Sequence, residues 1–266
     1  KSKRKPIIKG KNKMEAKSKS EFVNYINRLK IIGDGSQGTV FYDSKTSKVI
    51  KIFHDFFEDD EEYYYEIDEK ELLKFNDCKN KTYIFIEEAI LFKNKVIGYI
   101  CPFIKGKNID KINPLQIKLD YFIEAVKKVD EDIKIISDYG ILTYDVLYNT
   151  MYGNKKINIV DPIEYCFSDL DYNELLRRNR YNFNTGIKLF LIDSYFNEFV
   201  EKNKTLNELY TEKDTNINEF LYYFKKYLNE YIGKNIETLN QANEARNKQK
   251  HKIKFVREYD IMQKTL

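Results

Sequence analysis

Hydrophobic positions over the first hundred residues come in short alternating or continuous blocks. From about residue 113 they recur every three or four positions, a change from strand to helix periodicity. Blocks at 25–32, 39–43 and 48–53 predict three short antiparallel strands, the last two joined by the polar turn 44–47. The acidic stretch 55–71 runs into Leu72, Leu73 and Phe75 and predicts a helix with one apolar edge. Blocks at 83–92 and 95–104, separated by Lys93 and Asn94, predict two more strands. A five-stranded antiparallel sheet with one inserted helix is the expected first half.

In the second half, Asn113 reads as a cap with Pro114 at the first helical position, ahead of Tyr121, Phe122, Ala125, Val126, Val129 and Ile136 at helical spacing. Gly140 is the expected stop. A small hairpin, 150–152 against 157–160, is expected around Gly153-Asn154. Further helices are predicted over 184–200, over 206–210 behind the capping box Thr205-x-x-Glu208, over 218–231 and over 237–256. The fold class is therefore α+β, with a β-rich lobe (21–106) before a mainly helical one (107–266).

Composition adds a tail and a compartment. Residues 1–20 hold nine Lys or Arg against Glu15 alone, so the rest of the chain is net acidic although the total is +4. Such a segment predicts a disordered, solvated tail and, secondarily, an arm for an anionic partner such as nucleic acid or a membrane surface. Cys78, Cys101 and Cys166 are odd in number and widely spaced, which suits neither a disulfide framework nor a zinc site and favours a reducing setting. Without an apolar run of roughly 20 residues, no membrane span is expected, and the localisation read from these features is cytoplasmic. His54 and His251 are too few and too far apart for a histidine-based site, and read as structural or surface residues.

The candidate chemistry begins at Gly33-Asp34-Gly35-Ser36-Gln37-Gly38-Thr39-Val40-Phe41, a G-x-G-x-x-G-x-V run between two predicted strands. Glycines so spaced permit positive φ and let backbone N–H groups approach phosphate oxygens. An ordinary hairpin turn uses glycine too. Dinucleotide folds carry the same spacing, but there the run opens a helix, whereas here it leads into a strand. Lys51, bracketed by apolar neighbours on the next strand, places an ammonium where it reaches the α/β phosphates of a nucleotide. Glu62, Glu66 and Glu69 are the carboxylates on offer to hold it.

Gly35-Ser-Gln-Gly-Thr-Val-Phe-Tyr42 resembles the glycine-rich loop of eukaryotic-type protein kinases, and Val49-Ile-Lys51 resembles their V-A-I-K strand. Glu69-Lys-Glu-Leu-Leu73 is similar to the helix whose Glu pairs with that lysine, which selects Glu69. Cys101-Pro-Phe-Ile-Lys-Gly106 is similar to the adenine-binding segment, using Pro102 and Ile104. Gly140-Ile-Leu-Thr-Tyr-Asp145-Val-Leu-Tyr-Asn149-Thr-Met151, followed by Ile157-Asn-Ile-Val-Asp161-Pro162, resembles the catalytic loop and the metal-binding Asp. The resemblance implies ATP contacts from Gly33, Gly35, Ser36, Gly38, Val40, Lys51, Pro102, Ile104 and Met151. It further implies Mg²⁺ ligands in Asn149 and Asp161, and catalytic roles for Lys51, Glu69 and Asp145.

The departures are specific. Asn149 follows Asp145 by four residues instead of five, Thr143 and Tyr144 replace His-Arg, Leu147 stands where a catalytic lysine is usual, and Asp161-Pro-Ile replaces Asp-Phe-Gly. No A-P-E follows, and the short stretch after Asp161 is similar to the aminoglycoside and choline kinase branch. Asn184-Thr-Gly186 resembles the D-x-W-S-x-G helix without its Asp. The expectation is an atypical kinase of bacterial or viral style, passing the γ-phosphate of ATP to a hydroxyl of an unidentified protein or small-molecule acceptor. A pseudokinase scaffold is the main alternative. A third reading is a nucleic-acid-binding protein using its tail and the basic stretch 246–257.

Overall fold

The computed structural model of the chain describes residues 7–10, 13–58, 67–144 and 146–248. The chain divides into a first unit, Lys1–Lys105 with Val160–Ile163, and a second, Gly106–Ile159 with Glu164–Leu266.

The first unit is built on a sheet of seven strands: β1 (Ile7–Gly10), β2 (Lys13–Ala16), β3 (Lys30–Asp34), β4 (Gly38–Asp43), β5 (Lys48–Phe53), β6 (Glu88–Phe92) and β7 (Lys95–Pro102). Their spatial order is β1-β2-β6-β7-β5-β4-β3, antiparallel throughout except for the parallel pair β2 and β6. Two strands thus exceed the expected five, and both come from the segment expected to be a disordered tail. The cause lies in β2, where Met14 and Ala16 are buried while Lys13 and Glu15 point the other way, a period-two pattern masked by the surrounding lysines. Residues 1–6 and 11–12 of that tail lie outside the described residues.

The strand expected at 25–32 is replaced by α1 (Lys19–Ile26), with β3 starting only at Lys30. Ser18 caps α1 by accepting from the Glu21 N–H, and Phe22 and Ile26, four apart, bury completely on its inner face. Helical spacing and a cap outweigh the β propensity of Tyr25 and Ile26. Phe22 meets Phe56 edge to face, and Phe56 meets Phe92 likewise, beside Phe41, Ile50 and Ile100. Of the helix expected over 55–71, the described residues form a 3₁₀ turn (His54–Phe56) and one helical turn, α2 (Glu69–Leu72), capped by Asp68. Residues 59–66, including Glu62 and Glu66, lie outside the described residues. Lys93 and Asn94 both take positive φ and close the β6–β7 hairpin.

The second unit is mainly helical. Its elements are β8 (Lys107–Asn108), α3 (Leu119–Asp138), β9 (Ile141–Leu142), α4 (Val146–Asn149), β10 (Thr150–Gly153), β11 (Lys156–Ile159), β12 (Cys166–Phe167), α5 (Tyr172–Ile192), α6 (Asn197–Glu201), α7 (Lys204–Thr211), α8 (Ile217–Ile232) and α9, helical over 239–248. Asn113 does cap, but it caps a single 3₁₀ turn, and α3 begins five residues later than expected. Gly140 takes φ +82° just past α3, the left-handed stop that glycine supplies. The β10–β11 turn is Asn154-Lys155, one residue beyond the expected pair. Asp171 caps α5 twelve residues ahead of the helix expected at 184, and Asn203, not Thr205, caps α7. The expected final helix runs past 248, outside the described residues, as do most of the basic stretch 246–257 and His251.

α3 and α5 pack in the core of this unit, and several of their buried polar groups are paired, although Asn184 Oδ1 on α5 has no partner among the described residues. Arg180 donates to both oxygens of Asp130, at 2.8 and 3.1 Å. Lys188 donates to the carbonyls of Leu209, Tyr210 and Glu212 at the C-terminal end of α7, where a cation complements the exposed carbonyls. Among the described residues no helix is long and apolar enough to cross a membrane.

Candidate functional site

The register of the seven-stranded sheet decides which side chains meet. Val40 pairs with Lys51 and Lys51 with Tyr99, so the three share one face, whereas Phe41, Ile50 and Ile100 line the opposite face packed on α1. Lys51 is only 7% exposed. A lysine so placed stays charged only with partners. Its Nζ donates to Asp161 Oδ1 at 2.8 Å and to Gln37 Oε1 at 3.0 Å, and the Tyr99 hydroxyl donates to the same Oδ1 at 2.8 Å. All four residues belong to the first unit. Asp161 takes φ +64°, a left-handed conformation uncommon outside glycine, where it costs about 1 kcal/mol or more. Its two charge-assisted hydrogen bonds offset that cost.

Glu69, expected to hold Lys51, stands instead 4.0 Å from Lys13. That lysine lies on β2, a strand absent from the sequence expectation, and Glu69 sits at the start of a one-turn helix. The carboxylate on Lys51 is Asp161, 110 positions away in the chain.

The glycine run forms the turn between β3 and β4. Gly35 N–H donates to Gly38 O, and the Thr39 hydroxyl to Asp34 Oδ1. His54, at the far end of β5, fastens the turn twice: its backbone N–H donates to Gln37 O, and its Nε2 lies 2.8 Å from Gly35 O. None of Gly33, Gly35 and Gly38 has positive φ, so the conformational reason expected for them does not hold, and only Gly38 has a steric one in its place. At Gly38 a Cβ would lie 2.2 Å from Ile52 O, so β4 approaches β5 too closely for any side chain. Gly33 has ordinary room beside Val40, and at Gly35 the nearest atom would be 4.0 Å away. Packing requires glycine at 38 and not at 33 or 35. Ser36 is exposed at the tip, and Val40 is half-buried.

Gly98 holds Lys51 in place from the other side, because a Cβ there would lie 2.2 Å from Lys51 O. Pro102 ends β7 opposite Lys48, and Phe103 donates to Ser47 O and packs its ring on Tyr42 at 4.2 Å, which fixes the segment carrying Pro102 and Ile104. The Cys101 thiol is buried and its pKa is pushed up by burial and by the Asp161 charge, so it is an inert neighbour.

In the second unit, Asp145 lies outside the described residues. The segment leading to it is pinned by Asn179 on α5. Asn179 Oδ1 accepts from the N–H and hydroxyl of Thr143, and its Nδ2 donates to Ser137 Oγ and Ile141 O. Asn182 Nδ2 adds a bond to Thr143 O. Asn149 ends α4, half-buried, and Met151 lies on β10 paired with Asn158 and Asn108. Leu147 turns onto α5, where a Cβ on Gly186 would come within 3.3 Å of its side chain.

Sequence reasoning missed Gln37, Tyr99 and His54 as partners of the glycine turn and Lys51, and Asn179 as the anchor of residues 141–143. One signal for Asn179 was available: it interrupts the apolar stripe Leu175, Phe183, Ile187 at helical spacing. Among the described residues no three His, Cys, Asp or Glu side chains cluster as a metal cage. Mg²⁺ needs no such cage, being held usually by one or two carboxylates and substrate phosphates. Asp161 fits, since Oδ1 is engaged by Lys51 and Tyr99 while Oδ2 makes no hydrogen bond within the described residues.

No protein-family model and no curated protein sequence matches the chain. Among solved structures, that of titin kinase and its flanking domains superposes with a TM-score of 0.50 at 13% identity, covering 83% of this chain and 49% of that one. The chain therefore spans about half the length of that structure. A C. elegans twitchin kinase fragment, an autoregulated protein kinase with immunoglobulin domains, gives 0.39 at 16% identity over 53% of this chain and 33% of that one. At such identity the likeness to titin kinase is one of fold alone, and the fold of this chain is protein-kinase-like.

Proposed function

We propose that the chain is a phosphotransferase that binds ATP with Mg²⁺ and passes the γ-phosphoryl group to a hydroxyl acceptor. The observation that carries this reading is the ion pair between buried Lys51 and half-buried Asp161 on the sheet face beside the glycine turn. A buried cation and a carboxylate with one unengaged oxygen, next to a turn with room at Gly35, form a set suited to phosphate and its counter-ion. In this reading Lys51 exchanges its bond to Gln37 for oxygens of the α/β phosphates, and the backbone of 33–38 covers them. Gly33, Ser36 and Val40 complete that cover, with Pro102, Ile104 and Met151 bordering the base. Asp161 and Asn149 would hold Mg²⁺, which when bound neutralises charge on the phosphates. Asp145 orients the acceptor hydroxyl and takes its proton as the new O–P bond forms and the bond to the ADP oxygen breaks.

The test is calorimetric titration with ATP, with and without Mg²⁺, alongside phosphoryl-transfer assays on the wild type and Asp161→Asn. Binding strengthened by Mg²⁺, with that gain and the transfer lost in the variant at unchanged circular dichroism, is the expected result. Transfer persisting in Asp161→Asn would sink the residue assignment.

A second reading, nucleotide binding without transfer, is favoured by Leu147. The position where kinases carry a phosphate-stabilising lysine here holds an apolar side chain packed on α5. Single-turnover incubation with labelled ATP separates the two, because tight binding with no ADP formed in the presence of acceptors selects the second.

A further inference from the structure

The second unit contains a cavity of about 350 Å³ lined by Leu142, Tyr144, Arg177, Arg178, Tyr181 and Lys213. Asn182 lines it too, and it alone of these side chains enters the site described above, as a tie to Thr143 O. Arg177 with Tyr181 and Arg178 with Asn182 stand four apart on α5, which places two guanidinium groups on one face beside one aromatic ring. Leu142 is buried beneath them, and Asn182 is tied to Thr143 O, so the floor belongs to the segment that Asn179 anchors.

The charges are arranged unevenly. Glu174 takes the Nε and one terminal nitrogen of Arg177 and the Nε of Arg178, and Asp214 takes the other terminal nitrogen of Arg177. These bonds hold Glu174 well below the usual carboxylate range, at about 2, and fix both arginine side chains in orientation. Arg177 is thereby satisfied. The terminal nitrogens of Arg178 and the ammonium of Lys213 make no hydrogen bond or ion pair within the described residues, and three cations stand against two carboxylates. Tyr144 and Tyr181, 47% and 39% exposed, form open walls. A cleft with oriented but unspent donors, apolar sides and a buried floor suits an oxyanion carried on a short side chain.

We propose that this cavity binds an acidic side chain of a peptide acceptor, a carboxylate engaged by Arg178 and Lys213 between the two tyrosine rings. The acceptor role rests on the phosphotransferase reading above. In the sequence Tyr144 immediately precedes Asp145, the residue proposed to activate the acceptor hydroxyl, and that adjacency motivates the acceptor role. The volume is at the low end for small-molecule sites, roughly 300–1,000 Å³, and such sites enclose most of their ligand. Walls as exposed as these instead fit one side chain of a ligand whose remainder lies outside.

The test uses the full chain and short fluorescent serine peptides flanked by glutamates or by lysines, with binding read by anisotropy in the absence of ATP. We expect the acidic peptide to bind, the basic one not to, and Arg178→Gln/Lys213→Gln to weaken binding about tenfold, the effect of two exposed charge contacts. Both side chains are exposed, and an unchanged melting temperature of the variant checks the fold. Inorganic phosphate serves as the second probe. Phosphate binding without acidic-peptide binding would overturn the peptide assignment, as would equal affinity for the two peptides or no effect of the double substitution. If ATP-dependent transfer is found, the double variant raises KM for the acidic peptide at unchanged kcat, and an unchanged KM overturns the proposal. If no transfer is found but the acidic peptide still binds through these two cations, the phosphotransferase reading fails and the docking site stands.

Discussion

Asn179→Ala removes a side chain that ties α3, α5 and the strand before Asp145 together. Asn179 is fully buried and uses its entire hydrogen-bonding capacity, two bonds accepted and two donated, at 2.8–3.1 Å. The hydroxyls of Thr143 and Ser137 can rotate towards other partners, but the Thr143 N–H and the Ile141 carbonyl cannot. Each buried backbone group left unpaired costs about 1–3 kcal/mol. Two of them, with the volume vacated in a core, lead to an expected loss of about 4 kcal/mol, a large part of the roughly 5–15 kcal/mol that stabilises a domain. Asn182→Ala is the matched control: it loses a single bond to Thr143 O from a half-buried position, worth about 1 kcal/mol. Urea unfolding followed by far-ultraviolet circular dichroism reads the difference as a midpoint shift of about 1–2 M. Hydrogen exchange of the Thr143 amide reads it locally, with faster exchange in Asn179→Ala than in Asn182→Ala. Equal midpoints for the two variants, or an unchanged Thr143 amide, would refute the claim that this hub holds the segment.

Two further expectations concern glycines and a buried cation. Gly98→Ala is expected to cost about 2 kcal/mol or more and to weaken nucleotide binding, because its Cβ meets Lys51 O at 2.2 Å and forces β5 and β7 apart; Gly35→Ala, with nothing nearer than 4.0 Å, leaves the melting temperature unchanged and weakens ATP binding alone. Thermal melts and ATP titrations on both variants check this, and a destabilised Gly35→Ala would overturn the steric argument. Burial lowers the pKa of Lys188 to about 8, against the pull of Glu212. Since the folded value lies below the unfolded one, the unfolded chain binds more protons between pH 8 and about 10.5, and stability rises with pH across that window. The gain is at most about 3 kcal/mol, reduced by the three carbonyls that favour the ammonium. Wild type minus Lys188→Met, followed by urea unfolding at pH 7, 8.5 and 10, isolates it, and a flat difference would show that the lysine titrates normally.

What the chain discloses to a reader depends on the range of the interaction that decides it. The glycine run, the apolar bracket around Lys51 and the hairpin at Lys93-Asn94 are set by neighbours within a few residues, and each was legible. β2 was not, because its alternation of Lys13, Met14, Glu15 and Ala16 is only four residues long within a lysine-rich segment, and its partner, β6, lies 76 positions further on. α1 carried a signal that composition obscured: Ser18-x-x-Glu21 has capping-box spacing, overlooked beside the β-rich Tyr25 and Ile26.

The residues around Lys51 show why identity is easier to read than partnership. Lys51 and Asp161 were each singled out by the motifs they sit in, yet the carboxylate chosen for Lys51 was Glu69, selected on an expected helix by its resemblance to the kinase pattern. Which carboxylate Lys51 meets is settled by sheet register. Pairing Lys51 with Tyr99 brings the tyrosine hydroxyl to Asp161 Oδ1, and a one-residue slip would turn Lys51 to the face that packs on α1. Gly98 makes that slip costly, because only glycine lets β7 lie so close to the Lys51 carbonyl. A glycine whose only contribution is a missing Cβ therefore guards the register that brings Lys51 and Tyr99 together on Asp161 Oδ1.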